Sequence, residues 1–192
     1  MRAVLIRHGA TAGNEQRRYV GKRTDEPLCE LGALQCRRAG AWIDVTKVYS
    51  SPLVRARQTA SLLFPRAEVV PVAGLAEFDF GVFEGRTADQ MKDDPAYRAW
   101  VDDNCEGTCP GGESRDDFTR RTKRALAGVL RAAHEAGEEQ VVVVAHGGTI
   151  MAVLDGYYDK GVGNCEGYVV DVRLDGDEVV LREVSRWPGE WR

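Results

Sequence analysis

Histidine is scarce in this chain of 192 residues: there are three, at positions 8, 134 and 146. Cysteine is sparse as well, with five scattered residues (Cys29, Cys36, Cys105, Cys109, Cys165). An odd, irregular set excludes a disulfide-stapled scaffold and suits reduced thiols in a cytoplasmic protein. No histidine lies between Gly9 and Ala133 to complete a zinc spacing around Cys105 and Cys109, so no metal site is expected. Long apolar runs are missing too. The run Val141–Leu154 carries no charge over 14 residues, but His146, Gly147 and Gly148 interrupt it and it is too short to span a bilayer. Arg2 and Arg7 bracket the first apolar run, so neither a signal peptide nor a membrane partner is expected. A basic excess is also lacking: 26 Lys and Arg against 30 Asp and Glu leave a net charge of −4, which argues against a general nucleic-acid binder.

What is present is the composition of one globular domain, expected to run over 1–192, with 43% hydrophobic and 29% charged residues. At this length roughly 70% of the unfolded chain's surface is buried on folding, enough for a core without staples. Among the cations arginine outnumbers lysine 21 to 5. Source composition explains much of that bias, yet the guanidinium is also the group suited to bidentate phosphate contacts.

Strand and helix patterns alternate along the chain. Arg2–Arg7 reads as a first strand and Gln140–Ala145, with four successive valines, as a strand buried on both faces. Thr46–Tyr49 and Glu68–Val72 read as further strands, and Tyr168–Arg173 and Glu178–Val184 as a hairpin about Asp175-Gly176. Helical spacing covers Glu30–Asp44 (apolar at Leu31, Leu34, Ala39, Trp42 and Ile43), Leu53–Phe64, Glu113–Ala136 and Thr149–Tyr158. In the third of these, Phe118, Leu126, Val129, Leu130 and Ala133 should face inward, with Gly137 ending the helix. The expected fold class is α/β, a three-layer sandwich with a mostly parallel central sheet flanked by helices. Residues 86–112 form a small polar insertion near one edge.

Two strands end in the same dipeptide, His8-Gly9 and His146-Gly147. In a parallel sheet both histidines then reach the carboxyl edge, where open α/β folds bind ligands. Small residues after each lead into helix starts, whose free amides and dipole favour an anion. Arg7 precedes the first histidine, and Arg55 falls in the first turn after Ser50-Ser51-Pro52. Two arginines, two histidines and glycine amides such as that of Gly147 describe a site for a phosphoryl dianion.

The sequence resembles the histidine phosphatase superfamily, the phosphoglycerate mutase-like proteins, in five ordered blocks between residue 1 and about residue 155. They are Arg7-His8-Gly9-Ala10-Thr11-Ala12-Gly13-Asn14, the block from Ser50 to Ala60, Glu77 to Gly85, Pro110 to Ser114, and Ala145 to Gly148. The resemblance implies a phosphoglycerate mutase-like fold and a phosphomonoester hydrolase without cofactor. His8 would be the nucleophile, Glu77 the general acid, and Arg7, Arg55 and His146 the phosphoryl ligands, with a further hydrogen bond from Asn14. It implies a small phosphorylated metabolite as partner, in the manner of α-ribazole phosphatases or broad-specificity phosphatases. One departure stands out: Cys29 occupies the helix-cap place where the family usually has Ser or Thr, and a thiol caps poorly.

Two alternatives remain open. A cofactor-dependent phosphoglycerate mutase would share these residues, although such mutases are typically longer between the acid loop and the second His-Gly. A catalytically silent phosphate-binding module would share the fold, but would be expected to have lost one of the five charged or imidazole groups. A dinucleotide-binding oxidoreductase is disfavoured, because Gly161-Val162-Gly163-Asn164-Cys165-Glu166 has Glu where the fingerprint needs Gly and leads into a strand. Substrate identity and oligomeric state are left open by the sequence.

Overall fold

The computed structural model describes residues 1–40, 43–155, 161–176 and 178–188. The first strand, β1 (Arg2–Arg7), is followed by a one-turn helix α1 (Ala12–Glu15), then α2 (Glu30–Ala39), β2 (Lys47–Ser50), α3 (Val54–Leu63) and β3 (Glu68–Pro71). Next come two short 3₁₀ turns, α4 (Ala88–Met91), α5 (Pro95–Asp102) and the long α6 (Arg115–Glu135). The chain closes with β4 (Gln140–Ala145), α7 (Gly147–Val153), β5 (Gly167–Asp175) and β6 (Glu178–Trp187).

The sheet runs β3-β2-β4-β1-β5-β6. The first four strands are parallel, and the hairpin β5–β6 adds antiparallel to β1. The valine run therefore lies in the middle, and its lack of alternation has a direct cause, since both of its faces are covered. Ala3, Leu5, Val141 and Val143 pack on Leu126, Leu130 and Ile150 of α6 and α7. Val4, Ile6, Val142 and Val144 pack on Cys36, Ala56, Ala60 and Leu63 of α2 and α3. These two layers of side chains make the three-layer sandwich. A third cluster joins Phe78, Phe83, Met91, Tyr97, Trp100, Cys109 and Phe118, so residues of the 86–112 insertion pack on the acid loop.

The predicted elements appear with shifted ends. Helix α6 starts at Arg115 because Ser114 caps it, its Oγ accepting from the Asp117 amide at 3.1 Å. It buries Phe118, Leu126, Val129, Leu130 and Ala133 as expected, and Gly137 follows its end with φ +74. Helix α2 differs more. It stops at Ala39, where Gly40 takes φ +66, well short of the expected Asp44. Its expected apolar residues divide: Leu31 and Leu34 are exposed, at 45% and 38%, whereas Ala39 packs half-buried on the second cluster and Ile43, beyond the helix end, is buried. The buried stripe is Gly32 and Cys36, one helical turn apart, because close approach to the turn after β1 leaves room only for small residues. Cys29 stands at the N-cap with no side-chain hydrogen bond, as its thiol suggests. Trp42, and residues 156–158 of the last expected helix, lie outside the described residues.

Candidate active site

The register of the sheet assembles the site. Arg7 pairs with Ala145 across β1 and β4, and Ser50 pairs with Val144 across β2 and β4. His8, His146 and Ser51, each one or two residues further on, thus leave three adjacent strands at the same carboxyl edge. The two imidazoles meet edge to face with centroids 5.1 Å apart. His8 is 3% exposed, and His146, Ser51 and Arg55 are fully buried.

His8 has its protonation state written into its contacts. Nδ1 lies 2.7 Å from the carbonyl oxygen of Gly9, which only accepts, so Nδ1 carries the hydrogen. Nε2 lies 3.2 Å from Nε of Arg55, which only donates, so Nε2 presents its lone pair. Burial, then the charges of Arg55 and Arg7, hold the imidazole well below its ordinary value of 6.5. His8 is a neutral imidazole with a bare Nε2 in a cationic setting.

Arg55 is aimed by backbone. Its Nη1 donates to the carbonyl of Thr24 at 2.7 Å and its Nη2 to that of Gly21 at 3.0 Å. That loop is tied in turn by Glu84, whose carboxylate accepts from the Gly21 amide at 3.0 Å and from the Thr24 hydroxyl at 2.5 Å. Arg7 donates from Nη1 to the carbonyl of Val162 at 2.8 Å, while its buried Nε has no hydrogen-bond partner. Nδ1 of His146 is likewise buried and unpartnered. Two polar atoms of this buried cationic cluster, one on a guanidinium and one on an imidazole, are thus open to hydrogen bonding.

Glu77 faces this cluster from the loop after β3. Its Oε1 accepts from the Phe78 amide at 2.9 Å and its Oε2 from the Gly148 amide at 3.1 Å. Burial pushes its carboxyl above the ordinary value of 4.5, outweighing those amides and the charges of Arg55 and Arg7. Asn14 sits at the third position of α1, where its Oδ1 accepts from the Thr11 amide at 3.3 Å and from Nδ2 of Asn164 at 3.1 Å. Gly147 opens α7 beside the Arg7 guanidinium, with room for close approach. The structure thus gathers Arg7, His8, Arg55, Glu77, His146 and Gly147 around one place, and gives Asn14 a capping role at its rim.

Four contributors were not among the residues expected at the site. Ser51 contacts His146, Glu84 ties the loop under Arg55, Arg121 binds the carbonyls of Gly74, Ala76 and Glu77, and Asn164 also donates to the His8 carbonyl at 3.1 Å. In the loop between α1 and α2, Arg18 donates to the carbonyl of Gly85 and Arg23 pairs with Asp79 at 2.7 Å. Among the described residues no cluster of side chains fits a metal ion, and no helix is long and apolar enough to cross a membrane.

A mostly parallel sheet with paired His-Gly turns, two buried arginines and an acid loop at its carboxyl edge defines an α/β protein of the phosphoglycerate mutase-like fold. The chain belongs to the histidine phosphatase superfamily, branch 1, whose family model matches residues 3–173. A bifunctional protein of Mycobacterium tuberculosis is 38% identical over 161 residues, 79% of this chain and 40% of its own length. This chain thus spans about two fifths of the first relatives it matches. A probable phosphoglycerate mutase of Klebsiella pneumoniae is 32% identical over 154 residues, 77% of this chain and 70% of its own length. Among solved structures, the α-ribazole phosphatase of Shigella flexneri aligns over 96% of both chains with TM-score 0.77 and 27% identity. A mycobacterial glucosyl-3-phosphoglycerate phosphatase aligns over 95% of this chain and 96% of its own, with TM-score 0.75 and 30% identity.

Proposed function

We propose that this protein hydrolyses phosphomonoesters of small metabolites through a phosphohistidine on His8. The observation that carries the reading is the pair of contacts on the His8 ring, which leave a neutral Nε2 lone pair among buried guanidinium groups. Nε2 attacks phosphorus and the ester P–O bond breaks. The leaving alkoxide takes the Glu77 proton, because an alkoxide departs poorly without one. A water molecule then attacks the phosphohistidine while the Glu77 carboxylate takes its proton. The P–N bond breaks, the electron pair returns to Nε2, and inorganic phosphate leaves.

Arg7, Arg55 and His146 bind the non-bridging oxygens throughout. Phosphoryl transfer relies mainly on such positioning and charge stabilisation. Removing one donor is expected to slow turnover about a hundredfold or more. Similarity over 96% of both chains to a solved α-ribazole phosphatase supports a small ester of that kind as the substrate. Retention of the phosphoryl group and its return to product, the mutase reaction, is the second reading, supported by the relatives named as probable phosphoglycerate mutases.

The test is hydrolysis of p-nitrophenyl phosphate by chelator-treated protein, beside His8→Ala, with an acid-labile phosphoenzyme sought by rapid quench. Activity and phosphoenzyme in the wild type, both lost in the variant, are expected. A wild type inactive across mildly acidic to neutral pH overturns the phosphatase reading and moves the search to mutase assays.

A further inference from the structure

Ser51 lies at the carboxyl end of β2 with its hydroxyl fully buried. The Oγ sits 2.7 Å from Nε2 of His146, and accepts from the Leu53 amide at 3.3 Å. One ring nitrogen of His146 is therefore engaged by Ser51, and the other, Nδ1, is buried with no partner. Those two facts constrain where hydrogens sit.

Two arrangements satisfy the Ser51–His146 distance. In one, Nε2–H donates to Oγ; the serine hydrogen is then left without an acceptor among its recorded contacts. Nδ1 would also turn a lone pair toward the site, against the phosphoryl oxygens that the proposed reaction places there. In the other, Ser51 donates its hydrogen to a bare Nε2 while its lone pair takes the Leu53 amide. The serine hydroxyl, Nε2 and the Leu53 amide are then all matched, and the one group left without a partner, Nδ1–H, is a donor that a bound phosphoryl oxygen would accept from. Burial at this position makes the first arrangement costly, since an unmatched hydroxyl and a mis-turned imidazole each lose a hydrogen bond.

We infer that Ser51 is a positioning residue that fixes His146 as its Nδ1–H tautomer, so that a neutral imidazole can donate to the phosphoryl group. The inference rests on the phosphatase reading for its purpose, but not for its geometry. His8 and His146 then share one tautomer for opposite ends. A carbonyl takes the Nδ1 hydrogen of His8 and exposes a nucleophile, whereas a hydroxyl feeds Nε2 of His146 and exposes a donor. The neighbouring Ser50 does not compete for this task, because its own hydroxyl donates to the Ser51 carbonyl at 2.7 Å.

The chain's three histidines make the tautomer directly readable. Protein carrying ¹⁵N-labelled histidine, with His134→Gln and His8→Gln variants to assign the imidazoles, gives long-range ¹H–¹⁵N correlations at neutral pH. The expected pattern for His146 is a protonated-type Nδ1 and a bare-type Nε2. Ser51→Ala is expected to mix or invert that pattern and to lower kcat on the order of 10- to 100-fold with little change in KM. Ser51→Thr, which keeps a hydroxyl, is expected to restore both. Nδ1 bare in the wild type, or a Ser51→Ala protein with unchanged tautomer and kcat, overturns the inference. A wild type with the expected tautomer but no phosphatase activity leaves the positioning role standing and removes the phosphatase reading instead.

Discussion

Arg121 donates from Nη2 to the carbonyl oxygen of Glu77 at 3.3 Å, so the acid loop is held through its backbone as well as through the amides that meet its carboxyl. The same guanidinium donates from Nη1 to the carbonyls of Gly74 and Ala76, at 2.9 and 3.0 Å, and pairs with Glu113 at 2.6 Å. Glu113 closes the circuit by accepting from the Asp79 amide at 2.9 Å. One side chain of the long helix thereby sets the height of the loop above the sheet edge.

Arg121→Met should therefore damage catalysis without removing any group that meets substrate. Three carbonyls and one carboxylate lose their donor, which costs on the order of 2–3 kcal/mol of stability. Chemical denaturation measures that loss. The kinetic signature is a fall in kcat, on the order of tenfold, as Glu77 loses its fixed position. Arg121→Lys restores charge but not the fork, and should recover the fold better than the rate.

The pH dependence follows from two opposed shifts. In water a carboxyl ionises near 4.5 and an imidazole near 6.5, so a neutral histidine beside a protonated glutamate is a minority state. Burial lowers His8 and raises Glu77, which moves the pair toward the state the reaction uses. The acid limb of kcat/KM should thus fall below pH 6.5, and the alkaline limb above pH 4.5. A profile with its acid limb at or above 6.5 would show that His8 is not held neutral by its surroundings.

Gly32 tests how firmly the turn after His8 is docked. A methyl group there would run into the backbone carbonyl of Ala10. That carbonyl also accepts from the Cys29 amide at 3.0 Å, and the Ala10 amide donates to Gln35 at 2.9 Å. Gly32→Ala should cost about 1–3 kcal/mol and displace the turn. Leu34→Ala, on the exposed face of the same helix, should change stability by no more than about 0.5 kcal/mol. Thermal melts of the two variants check both statements.

The difference between those two positions explains what the sequence could tell. The four valines of β4 and the repeated His-Gly dipeptide are local patterns whose meaning survives without the fold, so the central sheet and both histidines were legible. Arg55 and Glu77 were legible through short motifs around them. The buried face of α2 was not, because leucine marked the wrong side: docking on a bare backbone turn demanded glycine and cysteine instead. Arg121 left no trace for a related reason. Its partners are carbonyls of residues 44 to 47 positions away, and a carbonyl has no identity in a sequence. Ser51 was visible within its block, but the 2.7 Å contact to His146 depends on strand order.

Glu77→Gln separates the demands of catalysis from those of stability. A raised pKa means that the folded protein holds the Glu77 proton more tightly than the unfolded chain does. The stability this contributes is full below pH 4.5 and is lost as pH rises through the higher folded value. Glutamine is neutral throughout and keeps an oxygen for one of the two amides, from Phe78 and Gly148, that the carboxyl accepts. The variant should therefore melt higher than wild type at neutral pH, with the gain shrinking toward zero as the buffer is taken below 4.5. Its activity should move the other way. Loss of a general acid typically costs about 10²–10⁴-fold, and the loss should be larger for an alkyl phosphate than for p-nitrophenyl phosphate, whose leaving group departs without a proton. Equal losses on the two substrates would remove Glu77 from the acid role even if the melting result held, because a merely structural carboxylate would not distinguish leaving groups.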